Sequence, residues 1–141
     1  MKRKAQATWH GDLKNGSGKM QIDSVNLDAD YTFLSRFEEG KGTNPEELLG
    51  AAHAGCFSMA LANTVAGQGF TPEKVTTEAL VTLSRDEKGF YISKIELDTT
   101  ALIPDIDMET FSKLAEETKV NCPISRALAV AEVEVNLTLN A

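Results

Sequence analysis

With 141 residues, the chain has the size of one domain, and 42% hydrophobic and 25% charged residues are ordinary for a soluble globular protein. The net charge of −7 argues against nucleic-acid binding, because phosphate groups require a basic face. The basic run Lys2-Arg3-Lys4 is not followed by an apolar segment, so we expect no secretory signal. We therefore expect a single domain over residues 1–141 in the cytoplasm.

The first part of the chain, to about Glu39, is predicted to be β-structure. Apolar and polar residues alternate in residues 5–9 and again in residues 20–24. Asn15-Gly16 lies between these runs and predicts a hairpin turn in which both residues take positive φ. Tyr31–Phe37 is interpreted as a third strand or extended segment.

A long helix is predicted next. Asn44 is a suitable N-cap, Pro45 fits the first helical position, and Glu47 stands where a capping-box partner is expected. Gly67 and Gly69 are expected to end the helix.

Residues 48–70 of this region carry no charge and are long enough to cross a bilayer. The stretch contains four glycines and several polar side chains, so it is only weakly apolar. This composition is more typical of a helix buried on all sides within a protein. We therefore expect no membrane span.

The last part begins with two predicted strands. Residues 75–83 alternate, residues 86–89 supply a turn, and Phe90–Leu102 forms the return strand. The apolar phase of that strand slips between Ile92 and Ile95, which indicates a β-bulge.

A second helix is predicted from about Asp107, and it must break or kink before Pro123. A short helix over residues 124–128 and an alternating strand over residues 133–139 follow. The predicted fold class is α+β, not a parallel βαβ array.

The chain has two cysteines, Cys56 and Cys122, 66 residues apart. A thiol reacts as the thiolate, so a reactive cysteine requires something that lowers its pKa. Cys122 would have this locally if it caps a helix that begins at Pro123. Cys56 lies within the predicted buried helix, where desolvation raises the pKa of a thiol. Local arguments alone therefore favour Cys122 as the more reactive thiol.

Glu46 is the carboxylate best placed to share a side of the central helix with Cys56. At about 100° per residue, Glu46 lies roughly 80° from Cys56, whereas Glu47 lies on the opposite side. Arg36, ten residues earlier, is the expected partner of Glu46. An arginine held by a carboxylate would supply the fixed positive charge that a buried thiolate needs.

His53 lies one turn before Cys56 and leaves alternatives open. One is a Cys–His catalytic pair, and another is a zinc site formed by His10, His53, Cys56 and Cys122. A packed, hydrogen-bonded His53 without a role in chemistry is the third.

Three segments closely resemble the OsmC branch of the OsmC/Ohr family. They are Arg36–Leu48, Gly50–Leu61 with its His-Ala-Gly-Cys-Phe-Ser-Met run, and Asn121–Ser125 with its Cys-Pro pair. The resemblance covers essentially the whole chain. Gly55 and Asn121 are small departures, since the family pattern is Ala and Gly at these positions.

The resemblance implies thiol-dependent peroxidases that reduce hydroperoxides, preferentially organic ones. It assigns Cys56 as the peroxidatic thiol, Cys122 as the resolving thiol, and Arg36 with Glu46 as the pair that activates Cys56. The resemblance reverses the ranking of the two cysteines by reactivity that the local arguments give. Arg36 would supply the stabilisation of the Cys56 thiolate that burial removes. The implied fold has antiparallel sheets wrapped around two main helices.

The resemblance also implies an intertwined homodimer with active sites at the subunit interface. We expect no metal, flavin or other cofactor, and an external dithiol as reductant, with a lipoyl-type dithiol as the family's expectation. The alternatives are a zinc-binding protein and a non-catalytic stress-response dimer that binds a small apolar ligand. Apolar side chains expected around Cys56 (Phe57 and Met59, with Phe33 or Phe37) favour an organic peroxide over hydrogen peroxide.

Overall fold

The computed structural model describes residues 1–129 and 132–140, which divide into two units. Unit 1 is Met1–Leu48 and unit 2 begins at Leu49. Unit 1 contains a three-stranded antiparallel sheet and a short helix: β1 (Gln6–His10), β2 (Ser17–Ile22), β3 (Leu27–Thr32) and α1 (Phe33–Phe37). The helix α2 (Pro45–Gly67) begins in the last residues of unit 1.

The predicted hairpin of β1 and β2 is confirmed, but its predicted turn is wrong. Six residues connect the strands, and among them Gly11, not Asn15, has a positive φ (87°). The Asp12 carboxylate accepts hydrogen bonds from the N–H groups of Lys14 and Asn15, both at 2.9 Å, and so closes the longer loop.

The prediction of an extended segment over Tyr31–Phe37 is also wrong beyond Thr32. The Thr32 hydroxyl accepts a hydrogen bond from the Ser35 N–H at 3.2 Å, and the Ser35 hydroxyl accepts one from the Thr32 N–H at 2.9 Å. This reciprocal capping box begins α1, so Arg36 lies in a helix.

Unit 2 contains most of α2 and a second three-stranded sheet, with two further helices. The elements are β4 (Lys74–Asp86), β5 (Gly89–Leu102), α3 (Met108–Asn121), α4 (Pro123–Ala127) and β6 (Glu132–Leu139). β4 and β5 are antiparallel, and the predicted bulge is confirmed because the register shifts between Thr82 and Leu83, so that Ser93 is skipped in the pairing of Cα positions.

The α+β class is confirmed, but the expectation of antiparallel sheets is wrong for one pair of strands. β6 pairs with β5 in parallel. The physical reason is the helical connection: α3 and α4 return the chain to the end at which β5 began, and a hairpin could not do this.

The central helix carries one buried stripe, and this stripe packs into the core of unit 2. Phe57, Leu61 and Val65 are fully buried there. The other core side chains come from β5, α3, the segment between them and the residue after α3: Ile95, Leu97, Ala101, Ile103, Ile106, Phe111, Leu114, Ala115 and Cys122.

The prediction of a helix buried on all sides is wrong within this chain. Ala51, Ala52, Gly55 and Met59 are exposed on the face opposite the buried stripe, and Met59 has 79% of its surface accessible. Among the described residues, α2 is the one helix long and apolar enough to cross a membrane by length and composition.

The start and end of α2 follow the sequence signals in part. The Asn44 Oδ1 atom accepts a hydrogen bond from the Glu47 N–H at 2.8 Å, as an N-cap should. The Glu47 carboxylate accepts a hydrogen bond from the Thr43 hydroxyl and does not bond back to the Asn44 backbone, so the capping box is incomplete. The helix ends at Gly67, and Gly69 has a φ of 90°.

Candidate active site

The structure brings the two cysteines of unit 2 together. Cys56 lies in α2 and is partly buried, whereas Cys122 lies between α3 and α4 and is 1% exposed. Their Sγ atoms are 3.2 Å apart, and both are free thiols. Two sulfur atoms at this separation can form a disulfide after a small movement of either side chain.

Pro123 is the reason that Cys122 stands at this position. The Cys122 N–H donates to the Thr118 carbonyl at 2.8 Å and completes the last turn of α3. Pro123 has no N–H and cannot continue that ladder of hydrogen bonds, so it becomes the first residue of α4. The predicted break before Pro123 is confirmed, and Cys122 is the cap shared by two helices.

The two thiols have opposite pKa shifts. Burial acts to raise the pKa of Cys122, but the Ser125 N–H, the Cys56 thiol and the Ser125 hydroxyl together bring this pKa below its ordinary value. Burial raises the pKa of Cys56, and the Ile124 N–H offsets only part of that effect. Within unit 2 Cys122 is therefore the more acidic thiol, which is the ranking that the sequence predicts from local environment alone.

The predicted pairing of Arg36 with Glu46 is present in unit 1. The Arg36 Nη2 atom lies 2.8 Å from Glu46 Oε1, and the Arg36 Nε atom donates to Glu46 Oε2 at 3.3 Å. The Arg36 side chain is 34% exposed and the Glu46 side chain only 11%. Two parallel N–H···O bonds fix the orientation of the guanidinium group.

Hydrogen bonds between α1 and the start of α2 hold this pair. The Ser35 hydroxyl lies 2.7 Å from the Thr43 carbonyl, and the Asn44 Nδ2 atom donates to the Ser35 carbonyl at 3.1 Å. Because Ser35 precedes Arg36 and Asn44 is the cap of the helix that carries Glu46, these bonds set the distance between the two charges.

A cavity of about 260 Å³ lies beside Arg36 in unit 1. Its lining is mostly aromatic and apolar: Trp9, Leu13, Tyr31, Thr32, Phe33 and Phe37. The Phe33 and Phe37 rings pack with centroids 5.0 Å apart, and the Arg36 guanidinium carbon lies 5.2 Å from the Phe37 ring centroid. The cavity thus combines an apolar wall with one fixed cation.

His53 contacts neither thiol by a hydrogen bond. It is completely buried, and its Nε2 atom lies 2.8 Å from the Ser125 Oγ atom. Burial lowers the pKa of His53, so the neutral imidazole is favoured. Among the described residues, no hydrogen bond supports a Cys–His pair. Sequence reasoning did not single out Ser125, because no local pattern indicates a contact with a residue 72 positions away.

The zinc site finds no support in the geometry of the described residues. Among residues 1–129 and 132–140, no three His, Cys, Asp or Glu side chains form a group that could hold a metal ion. His10 is an exposed residue of β1 in unit 1.

The paired thiols of unit 2 and the sequence of the central helix define an OsmC-type protein. The sequence model of the family described as "OsmC-like protein" matches residues 38–138, and the chain belongs to this family.

Two relatives give the degree of similarity. Over 140 residues the chain is 44% identical to peroxiredoxin OsmC of Escherichia coli, which covers 99% of this chain and 97% of that protein. The crystal structure of the organic hydroperoxide resistance protein OhrB of Bacillus subtilis superposes with a TM-score of 0.72 at 29% identity, covering 97% of this chain and 98% of that one. The predicted family is therefore confirmed, and both branches of it are found among the relatives.

Proposed function

We propose that the protein, as a single OsmC-like domain over residues 1–141, is a two-cysteine thiol peroxidase that reduces hydroperoxides, preferentially organic ones. The observation that carries the proposal is the 3.2 Å separation of the Cys56 and Cys122 Sγ atoms in a member of the OsmC family. The names of its relatives, a peroxiredoxin and an organic hydroperoxide resistance protein, support the same activity.

The proposed reaction starts at Cys56. Its thiolate attacks one oxygen of the peroxide, the O–O bond breaks, and the departing oxygen takes a proton to become an alcohol or water. Cys56 becomes a sulfenic acid, and Cys122 then condenses with it to a disulfide and releases water. An external dithiol restores both thiols by exchange, and a lipoyl-type dithiol is our candidate. No metal or organic cofactor takes part in these steps.

We assign Arg36 and Glu46 the activation of Cys56 and the orientation of the peroxide. Burial raises the pKa of Cys56, so its thiolate requires a cation from elsewhere in the chain. The guanidinium group of Arg36 is fixed by Glu46, and Glu46 lies in the same helix as Cys56. The two oxygens of a peroxide are suitable acceptors for the guanidinium N–H groups of Arg36 that do not donate to Glu46.

The preference for organic peroxides is supported by the aromatic cavity beside Arg36. Of the side chains expected to surround Cys56, Phe57 is fully buried in the core and Met59 is exposed, so the rings of unit 1 are the better candidates for binding an alkyl group. Comparing the turnover of cumene hydroperoxide with that of hydrogen peroxide tests this preference. Equal kcat/KM values would contradict it.

We further propose a cytoplasmic homodimer with active sites at the interface. The exposed face of α2 supports it: apart from the backbone of the helix itself and the neighbours of Gly55 in the chain, no atom of the described residues lies within 4 Å of the place where a Cβ of Gly55 would stand, and Ala51, Ala52 and Met59 extend that open apolar face. Small residues allow a second copy to approach closely. Light scattering coupled to size-exclusion chromatography tests the dimer, and a monomer at micromolar concentration would contradict it.

One experiment tests the activity and the cysteine roles together. Wild type and Cys122→Ser are treated with one equivalent of cumene hydroperoxide, and free thiols and intact mass are measured. We expect the loss of both thiols in wild type and a trapped sulfenic acid on Cys56 in the variant. Unreacted thiols in wild type would remove the peroxidase proposal.

A further inference from the structure

One wall of the aromatic cavity beside Arg36 is a pair of rings that come from different strands. Trp9 lies in β1 and Tyr31 in β3, and Gly18 of β2 is directly opposite each of them. Residues that are directly opposite on neighbouring strands share one face of the sheet. The three positions therefore form a single row across unit 1, with Gly18 between the two rings.

The missing side chain of Gly18 allows the two rings to meet. Neighbouring strands lie about 4.8 Å apart, so two strand spacings separate the backbones of Trp9 and Tyr31 by about 9.6 Å. Their ring centroids are nevertheless 5.2 Å apart, with an angle of 52° between the ring planes. A Cβ at Gly18 would lie 2.6 Å from Tyr31 Cε1 and 2.8 Å from Trp9 Cε3, which is closer than carbon atoms can pack. Both rings thus lean over the buried Gly18.

The Trp9 ring is also fixed at its polar edge. Its Nε1 atom donates to the Gly11 carbonyl at 3.0 Å, so the loop after β1 orients the indole. Trp9 and Tyr31 are only partly buried, and both line the cavity. A surface that is already ordered loses little conformational freedom when a ligand binds to it. The ring pair is therefore a preformed wall.

The rest of the lining is also rich in rings. Phe33 and Phe37 pack with centroids 5.0 Å apart and an angle of 43° between their planes. Among the described residues that line the cavity, Leu13 is the one apolar side chain without a ring. Tilted aromatic pairs attract one another beyond the area that they bury, so an aryl ligand gains here what an aliphatic ligand of equal size does not. Drug-sized ligands occupy pockets of about 300–1,000 Å³, so a cavity of about 260 Å³ suits one ring with short substituents.

We propose that Trp9 and Tyr31 are specificity-determining residues that select hydroperoxides with an aryl group close to the O–O bond. The inference rests on the proposed function for the reaction at the peroxide, although binding of an aryl group to this cavity is independent of it. The aryl group lies against the two rings, and the peroxide oxygens accept hydrogen bonds from Arg36 at the side of the cavity.

Binding of the aryl group can be measured without any reaction at the thiols. Cumyl alcohol, which forms when cumene hydroperoxide is reduced, has no O–O bond, and its cyclohexyl analogue has a similar size without an aromatic ring. Trp9 is the only tryptophan of the chain, so its fluorescence reports on this wall. We expect cumyl alcohol to bind about fivefold more tightly than the cyclohexyl analogue. Equal affinities, or no fluorescence change with either ligand, would overturn the proposal.

The ring pair is tested by two substitutions at one position. Tyr31→Leu keeps an apolar side chain and removes the ring, whereas Tyr31→Phe keeps the ring, and both leave Trp9 as the reporter. We expect the preference for cumyl alcohol to disappear in Tyr31→Leu and to persist in Tyr31→Phe. Circular dichroism establishes that each variant is folded, and the two ligands decide the proposal on the wild type if Tyr31→Leu does not fold. A preference that survives in Tyr31→Leu, or is lost in both variants, would contradict the role of the ring.

Tyr91→Leu is the matched control. Tyr91 lies in β5 of unit 2, is 47% exposed and does not line the cavity. The substitution is chemically the same as Tyr31→Leu and removes a tyrosine from the other sheet. We expect it to leave the affinities for both alcohols unchanged. Loss of the preference in Tyr91→Leu to the same extent as in Tyr31→Leu would overturn the specific role of Tyr31.

Turnover connects the cavity to the reaction. Cumene hydroperoxide should have a kcat/KM about fivefold higher than its cyclohexyl analogue in wild type, and the two values should be equal in Tyr31→Leu. A ratio of two substrates cancels any change that affects both alike, such as a smaller fraction of active protein. Equal kcat/KM values in wild type would overturn the selection of aryl hydroperoxides. Wild-type thiols that react with neither peroxide would instead remove the proposed function, and the fluorescence titration would still decide whether the cavity binds an aryl group.

Discussion

The two units contribute different chemistry to the proposed reaction. Unit 1 holds a fixed pair of opposite charges, Arg36 and Glu46, which hydrogen bonds between neighbouring segments place together. Unit 2 holds two sulfur atoms that are 66 residues apart in sequence and 3.2 Å apart in space. The charges are placed by local hydrogen bonds, whereas the sulfurs are brought together by the packing of helices around a core.

This difference bears on which cysteine attacks the peroxide. In unit 2, burial raises the pKa of Cys56, whereas donors around Cys122 lower its pKa. The family resemblance nevertheless assigns the first attack to Cys56. Attack by Cys56 therefore requires the charges of unit 1 to reverse the order of the Cys56 and Cys122 pKa values in unit 2.

The largest expected effect comes from removing each sulfur in turn. Cys56→Ser should abolish peroxide turnover, because the peroxidatic nucleophile is lost. Cys122→Ser should still consume one equivalent of cumene hydroperoxide and then stop. Mass spectrometry of the treated proteins provides the measurement. If Cys56→Ser reacts once and Cys122→Ser does not react, the order within unit 2 governs and the roles are reversed.

The second effect comes from the charges of unit 1. Arg36→Ala should slow sulfenic acid formation on Cys56 by about a hundredfold, because an oriented cation that stabilises developing charge is lost. The rate is followed by stopped-flow consumption of cumene hydroperoxide under single-turnover conditions.

Arg85→Ala is the matched control for Arg36→Ala. The Arg85 guanidinium carbon lies 5.3 Å from the Phe90 ring centroid, close to the 5.2 Å between Arg36 and Phe37. Arg85→Ala therefore removes an arginine with a comparable aromatic contact at a position outside the proposed site. Equal rates in Arg36→Ala and wild type would show that unit 2 activates Cys56 without the cation.

The third effect concerns stability, because the units are packed differently. Among the described residues, all the buried hydrophobic side chains lie in unit 2. Phe111→Ala should lower the free energy of unfolding by about 3–5 kcal/mol, since Phe111 is fully buried. Tyr31→Ala in unit 1 should cost less, because Tyr31 is partly exposed and packs on Trp9 with centroids 5.2 Å apart. Urea denaturation followed by circular dichroism gives both values, and equal losses would contradict the contrast.

Local signals in the sequence were sufficient to predict most of the secondary structure of unit 2. The break before Pro123 follows from a missing N–H group, and the bulge in β5 follows from a slip in the apolar phase between Ile92 and Ile95. The parallel pairing of β6 was not predicted, because the alternating pattern of a strand indicates its faces and not its direction.

Unit 1 was harder to predict where hydrogen bonds compete with side-chain pattern. The aromatic run that ends at Phe37 has strong β-propensity, yet the Thr32–Ser35 capping box makes it a helix. The pairing of Arg36 with Glu46 was still predicted, because it depends on opposite charge and proximity in sequence and not on the backbone between them. Ser125 was missed because its contact with His53 joins residues 72 apart, beyond the reach of any local pattern.

The smallest expected effect is a pH dependence of stability, and it comes from the buried imidazole of His53 in unit 2. Burial lowers the pKa of His53 in the folded state below the value of about 6.5 expected for the unfolded chain. As the pH falls through 6.5, the unfolded state therefore binds a proton that the folded state does not, and stability decreases. The slope is at most about 1.4 kcal/mol per pH unit for one group.

The matched variant for this effect is His53→Gln, which keeps an amide in place of the imidazole and cannot titrate. Its free energy of unfolding should fall less steeply than that of wild type between pH 7 and pH 5, by urea denaturation at each pH. His10→Gln, at an exposed position of β1, is the control for replacing a histidine with glutamine. Identical slopes in wild type and His53→Gln would mean that His53 titrates alike in the folded and unfolded chain, which would contradict the lowering of its pKa by burial.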